Sequence, residues 1–378
     1  MIAAKVLVVG AGPVGLTLAN ELARRGISCR IIDRAPAPSA HSRALVIHCR
    51  TQELLEQAGL RDGLAERAIE IRGMNFCRSG RRLATIPFDL GRYPALSLPQ
   101  QETEEVLTAR LADGGVHVDR GTELTAITQQ PEAVEAVVNG ESLRVDYVVG
   151  CDGAHSTVRH LLDVPFEGGT LPETLWMADA AVEWDLEPDH VWQLLHPAGA
   201  LSAIPMPGGR WRLVVLRSDE EGEPSAEFFE RSIALRMGVM PRRLDIDWMS
   251  TFRVNCRLAS AYGRGRVLLA GDAAHVHSPI GGQGMNVGML DAFSLAGKLT
   301  DRIAGLPGEV VERYQAERRP VAAAVIKTNS RVTRLAMSRG PLQRLLRDHL
   351  MPNLLGLSPV ARRAGLVASG LDAAQPSK

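Results

Sequence analysis

The stretch 5–33 constrains the fold more than any other part of the chain. Residues 5–9 carry a continuous run of β-branched and apolar side chains, the pattern of a strand covered on both faces in a parallel sheet. Gly10-Ala11-Gly12-Pro13-Val14-Gly15 follows as a turn, 16–25 as a helix stopped by Gly26, and 27–32 as a second strand closed by Asp33. Together they predict a βαβ unit. In a GxGxxG turn the first glycine permits the bend, the second lets the backbone approach a pyrophosphate, and the third admits close helix–strand packing. An acidic residue ending the next strand accepts hydrogen bonds from a ribose hydroxyl. Free N–H groups at the helix start favour an anion.

Bulk properties exclude several classes. The chain has 378 residues, 43 basic and 43 acidic, so binding to nucleic acid or a membrane surface through bulk charge is not expected. Five cysteines, Cys29, Cys49, Cys77, Cys151 and Cys256, are widely spaced without a CxxC pair, which predicts reduced thiols and a cytoplasmic protein. The N-terminal apolar run lacks the basic flank and cleavage site of a signal peptide, and no run is long enough to span a bilayer. His275 and His277 have no carboxylate or cysteine partner in their motif, so no metal is expected.

A second anion-holding site is legible at 271–286, GDAAHVHSPIGGQGMN. An apolar strand precedes it and a helical pattern over 285–303 follows, so an aspartate ends a strand and a glycine loop opens a helix. A third transition, strand to helix, lies at 150–159, where Asp152-Gly153-Ala154-His155-Ser156-Thr157-Val158-Arg159 fits DGxxSxxR. Two anion-holding sites far apart in sequence predict one large cofactor held at both ends. Helices are further expected at 51–58, 103–112, 309–335 and 342–350, and strands at 116–119, 123–129, 134–138 and 143–150. Between about 175 and 254 the pattern changes to short antiparallel strands at 191–195, 201–205 and 211–216, with Trp176, Trp184, Trp192 and Trp211 in that stretch and Trp248 near its end. The expected layout is α/β: a nucleotide-binding domain in two parts (1–174 and 263–350), an inserted, mostly antiparallel sheet domain (175–262), and a C-terminal tail at 351–378.

These three motifs, in this order and spacing, resemble the FAD-dependent aromatic hydroxylases, the single-component group A flavoprotein monooxygenases, and the likeness runs over nearly the whole chain. The form RVLLAGDAAHVHSPIGGQGMNVGMLDA is closest to the polyketide-tailoring and phenol hydroxylases of antibiotic biosynthesis and aromatic metabolism. The resemblance implies a tightly bound FAD. Gly10, Gly12, Pro13, Val14, Gly15 and Asp33 would hold its ADP half, with Arg34 beside the adenosine and Leu124 touching adenine through its backbone. Arg43 would reach the pyrophosphate and attract NADPH or NADH. Gln100, with Gln101 a competitor by one register, would lie near the ribityl chain. Asp152 and Gly153 would support the cofactor, and Gly271 and Asp272 would bind the ribityl hydroxyls. Gly281, Gly282, Gly284, Met285 and Asn286 would face the flavin pyrimidine edge, and Pro279 would mark the boundary with substrate.

The chemistry so implied is the transfer of one oxygen atom from O2 to an aromatic, phenolic or polyketide-type substrate through a flavin C4a-hydroperoxide. Trp192, Leu194, Ala203, Pro205 and Trp211 are candidates to line the substrate space, and His196 is a candidate to orient or deprotonate a phenol. Pro279, Arg43 and His196 are therefore the expected catalytic set, in a monomer or homodimer. No second strand-anchored GxGxxG is present, since Gly263-Arg264-Gly265 lacks its third glycine, which disfavours a separate NAD(P)H domain. The larger polyketide hydroxylases add a C-terminal thioredoxin-like domain, which this chain is expected to lack. Halogenases of the same fold carry a GWxWxIP string absent here, and prenyl-chain reductases carry a membrane-associated character absent here. A reductase or dehydrogenase, or a protein that keeps FAD while binding or cyclising a product without redox turnover, remains the alternative.

Overall fold

The computed structural model describes residues 4–39, 44–196, 199–217, 224–238, 240–279, 281–307, 309–337 and 350–371. Two sheets organise it. The first has six strands in the order Gly263–Arg264, Val267–Leu269, Tyr147–Gly150, Val6–Val9, Cys29–Asp33 and Val118–Arg120. All its pairings are parallel except that of the edge strand Gly263–Arg264. Val6–Val9 is buried throughout, as befits a central strand whose two faces are both covered. Helix Pro13–Arg24 packs on helix Gly284–Ile303, and both help to bury the largest apolar cluster of the molecule.

The second sheet has eight strands: His275–Val276, Arg243–Ala259, Phe166–Glu183, Arg210–Arg217, Leu201–Met206, His190–Leu194, Gly73–Arg78 and Arg81–Pro87. Every neighbouring pair is antiparallel except His190–Leu194 on Gly73–Arg78, which is parallel. The sheet therefore draws strands from well outside 175–262. The alternation Leu244, Ile246, Trp248, Ser250, Phe252, Val254 is the period of a half-buried strand, and it runs from Arg243 to Asn255 within a strand of 17 residues. One face is closed by helix Ala226–Met237, whose first turn is capped by Ser225 accepting the Phe228 N–H at 3.2 Å. Gly238 ends that helix in the left-handed conformation at φ 76°.

The expected tail is partly helical. Met351–Leu355 and Ser358–Ala368 are helices, and the second seats Gly365 so closely on strand Arg81–Pro87 that a Cβ there would lie 2.2 Å from the Pro87 carbonyl oxygen. Burial of Ala361 and Gly365 against this strand stabilises a helix that its own short sequence would not. The helix expected at 342–350 falls, except for Leu350, outside the described residues. All five cysteines are free, and burial pushes the Cys29 thiol up to about 11. No helix among the described residues is long and apolar enough to cross a membrane.

Candidate active site

All three glycine motifs leave the carboxyl ends of adjacent parallel strands. Gly10 follows Val6–Val9, Asp152 and Gly153 follow Tyr147–Gly150, and Gly271-Asp272 follows Val267–Leu269. Ligands of open α/β sheets bind beyond these strand ends. Close backbone contact joins the first two motifs, because a Cβ on Gly10 (φ 105°) would lie 2.4 Å from the Cys151 carbonyl oxygen. Gly15 is tighter still, since a Cβ there would lie 1.9 Å from the Gly10 carbonyl oxygen, so the third glycine lets helix Pro13–Arg24 start directly on the turn. Val14 brings in the third motif: it is held between Gly271 and Gly288, where added Cβ atoms would lie 2.8 and 2.6 Å from its Cγ2.

A cavity of about 220 Å³ opens between the first two motifs, lined by Gly10, Gly12, Asp33, Arg34, Leu124, Asp152 and Gly153 among others. Gly10, Gly12, Asp33, Arg34 and Leu124 are expected at the ADP half, and Asp152 and Gly153 are expected to support the cofactor. Their fit to such a group can be judged from three features. The N-cap Gly12 makes no side-chain cap, so the helix start offers its N–H groups to the cavity. A Cβ on Gly12 would meet no protein atom within 4 Å and would fill the cavity instead. Asp152 keeps Oδ1 buried without a hydrogen-bond partner, while Oδ2 accepts the Val158 N–H at 3.2 Å, and burial raises its carboxyl above the usual range. Asp33 spends part of its capacity locally: Oδ2 accepts from Ala11 N–H at 2.7 Å and Oδ1 from Ala35 N–H at 2.8 Å. The residues present thus fit an ADP-type group.

Arg159, the last residue of DGxxSxxR, is a tie between motifs. Its guanidinium donates to the carbonyls of Ala273 (3.0 Å) and Ala154 (2.9 Å) and lies 4.0 Å from the Phe166 ring centre. Behind the 271–276 segment, His275 Nε2 lies 2.6 Å from Asp291 Oδ2, Arg318 Nε donates to Asp291 Oδ1 at 2.7 Å, and the Gly271 N–H reaches Asp291 Oδ2 at 3.3 Å. Burial opposes the Asp291 charge, but His275 and Arg318 outweigh it and hold the carboxyl low. His275 is accordingly a hydrogen-bonder within the fold. Only its place in the chain, not its partner, was legible in the sequence.

At the second helix start, Pro279 is exposed and its carbonyl accepts the Gly282 N–H at 2.9 Å, closing a turn through Gly281 (φ 90°) and Gly282 (φ 62°). The N-cap Gln283 makes no side-chain cap, so this helix start too has N–H groups to offer. Asp272 is exposed at the strand end, and Met285 is buried. Asn286 bonds inward to Val46, His48 and Gly282. Gln100 is half-buried, with its N–H 3.3 Å from the Ala44 carbonyl, whereas the Gln101 side chain bonds to Glu105 on the surface. Arg43 lies outside the described residues.

The substrate candidates need correction. Opposed residues of an antiparallel pair share a face, and Trp192, Leu194, Ala203, Pro205 and Trp211 all share the face covered by helix Ala226–Met237. Four of them form a dry core with Phe229 and Ile233. Alternation along a strand shows that it has two faces, not which of them faces inward. Gln193, Ser202, Ile204, Arg212, Val214, Met177 and Asp179 occupy the opposite face. Arg212 on that face pairs bidentately with Asp179 at 2.8 Å and reaches the Ala44 carbonyl at 3.5 Å, which fixes this as the inner face. His196 stands on the loop joining two strands, where Arg236 of the outer helix bonds to the Gly199 carbonyl at 3.0 Å, so that loop is tied to the outer layer. Glu187, Asp189 and His190 are the metal-like cluster among the described residues, but Arg82 and Arg72 already pair with the two acids.

The chain is similar to known flavin-dependent proteins. The family described as FAD binding domain matches residues 3–329. The chain is 36% identical over 405 residues to 6-methylpretetramide 4-monooxygenase of Streptomyces rimosus, covering 97% of this chain and 72% of that protein. Among solved structures, p-nitrophenol 4-monooxygenase PnpA from Pseudomonas putida DLL-E4 is similar with a TM-score of 0.88 at 26% identity, covering 98% of both chains. The Diels-Alderase PyrE3 of pyrroindomycin biosynthesis is similar with a TM-score of 0.82 at 28% identity, covering 97% of this chain and 80% of that one.

Proposed function

The chain belongs to the FAD binding domain family of flavin-dependent aromatic and polyketide monooxygenases, and we propose that it uses NADPH or NADH and O2 to hydroxylate a phenolic or polyketide-type ring. One oxygen atom of O2 would be inserted into a ring C–H bond to give C–OH, the other would leave as water, and the nicotinamide hydride with one solvent proton would supply the two electrons and two hydrogens of that water. The observation that carries this reading is Val14 seated between Gly271 and Gly288, which makes the two uncapped helix starts parts of one site. When bound, FAD supplies hydride acceptance and oxygen activation. The protein's part is binding, orientation and exclusion of water. The backbone at Gly12 admits the pyrophosphate, and Asp33 and Arg34 receive the adenosine end. The start of helix Gly284–Ile303 favours negative charge at the ring edge, by the orientation of its N–H groups. Substrate lies against Gln193, Ser202, Ile204 and Val214 on the inner face, whose mixed polar and apolar surface suits an oxygenated aromatic.

The purified protein should be yellow, and denaturation should release FAD. NADPH oxidation and O2 uptake should accelerate together when a panel of phenols and polycyclic aromatics is added. A protein that takes up no FAD refutes the reading. A second reading, product binding or cyclisation on a retained flavin, is favoured by the likeness to a Diels-Alderase. It gains if a ligand binds tightly yet leaves both rates unchanged.

A further inference from the structure

Asn286 spends its amide on the protein. Oδ1 accepts the His48 N–H at 2.8 Å, and Nδ2 donates to the carbonyls of Val46 at 2.8 Å and Gly282 at 2.9 Å. His48 answers from the other side, with Nε2 2.9 Å from the Gly281 carbonyl oxygen. A carbonyl can only accept, so the ring proton sits on Nε2. His48 and Asn286 are both buried, and their bonds join parts of the chain more than 230 residues apart. Gly282 lies flat on this arrangement: a Cβ there would be 3.3 Å from Val46 Cβ and 3.7 Å from His48 Nε2.

The other end of the same segment is fastened to the large sheet. The Ala44 carbonyl receives Arg212, and strand Val46–Ile47 pairs with Ala95–Ser97, where Ser97 Oγ donates to the Pro205 carbonyl at 2.5 Å. Residues 44–48 therefore stand between the sheet and the glycine turn at 281–284, with polar ties to both. Buried hydrogen bonds hold such a spacing because breaking one leaves a carbonyl unpaired away from water.

We propose that His48 and Asn286 are positioning residues that set the separation between the glycine turn at 281–284 and the inner face of the large sheet, and so the gap in which an aromatic ring meets the flavin. The inference rests on the reading of that turn as the flavin end of the site.

Two substitutions at one position test it. His48→Phe keeps an aromatic ring but removes the donor, and His48→Gln returns an N–H within reach of Gly281. FAD affinity is read by quenching of FAD fluorescence, the ring environment by visible circular dichroism of the bound flavin, and fold stability by the thermal midpoint of the FAD-free protein. His48→Phe should weaken FAD binding at least tenfold and alter the flavin dichroism, while His48→Gln should stay within threefold of wild type. Asn286→Leu, which removes the opposite half of the arrangement, should repeat the tenfold loss and covers the case in which His48→Phe does not fold. Wild-type affinity and dichroism in His48→Phe or Asn286→Leu, with only the thermal midpoint lowered, would overturn the proposal by reducing both residues to structural supports. Failure of the wild-type protein to bind FAD overturns the flavin reading and this inference with it, an outcome distinct from the first.

Discussion

Replacing Gly12 and Gly15 by alanine, one at a time, should give opposite results three residues apart. Gly12 has φ −77° and ψ −177°, a conformation open to any L-residue, and a Cβ there meets no protein atom within 4 Å. Gly12→Ala should therefore leave the FAD-free protein as stable as wild type, or more stable by about 0.4–1 kcal/mol through the smaller entropy of its unfolded chain. The new methyl enters the cavity where the pyrophosphate must approach, so FAD affinity should fall at least about tenfold, or 1.4 kcal/mol. Gly15→Ala puts its Cβ 1.9 Å from the Gly10 carbonyl oxygen, which no rotamer relieves because the clash is with backbone. It should destabilise the FAD-free protein by about 1–3 kcal/mol or more. Urea unfolding of the FAD-free variants and FAD titration by fluorescence quenching separate the two effects. Undiminished FAD affinity in Gly12→Ala would refute the placement of the pyrophosphate, and an undisturbed midpoint in Gly15→Ala would refute the packing argument.

Burial holds the rings of His48 and His277 down to about 4, so both are neutral in the folded protein at pH 5. The unfolded chain protonates below about 6.5, so each ring's contribution is complete above that pH and declines as pH falls towards 4. By pH 5 the loss should be on the order of 2 kcal/mol per ring. Ring-proton NMR titration should show neither histidine charging above pH 5; a midpoint near 6.5 for either would contradict its burial. Asp291→Asn should cost about 3–5 kcal/mol in urea unfolding, because it leaves the buried Arg318 charge without its partner. Arg159→Ala should lower the thermal midpoint of the protein by removing charged bonds to Ala273 and Ala154 worth roughly 1.5–3 kcal/mol each, and Arg159→Lys should not restore it since one ammonium does not span both carbonyls. Leu213→Ala on the outer face should destabilise by about 2–5 kcal/mol yet leave the ranking of aromatic substrates unchanged, whereas Val214→Ala beside it should change that ranking. The reverse pattern would restore Trp211 and its neighbours as the substrate wall.

The βαβ unit and both glycine loops were readable because their signals are local. A strand, a turn that needs glycine and a helix start lie within a few residues of one another, so pattern alone locates Gly10, Gly12, Asp33 and Gly271. Strands Gly73–Arg78 and Arg81–Pro87 gave less away. Their alternation is short; Arg81–Pro87 pairs only with Gly73–Arg78, and Gly73–Arg78 finds its other partner more than 100 residues later, in His190–Leu194. The C-terminal helix Ser358–Ala368 was likewise invisible, since its stability comes from seating on Pro87 rather than from its own periodicity.

Sequence by itself determined that this chain makes a parallel sheet of the nucleotide-binding type with a glycine turn opening a helix at each of two strand ends. It determined this because turn chemistry and hydrophobic period are written in neighbouring residues. Tertiary structure alone decided three other matters. It joined the two helix starts through Val14, tied the turn at 281–284 to His48, and turned Ser202, Ile204, Arg212 and Val214 inward rather than Ala203 and Trp211. A strand's alternation shows that it has two faces, but which face is inner depends on the layer that packs against it, and here helix Ala226–Met237 claims the more apolar side.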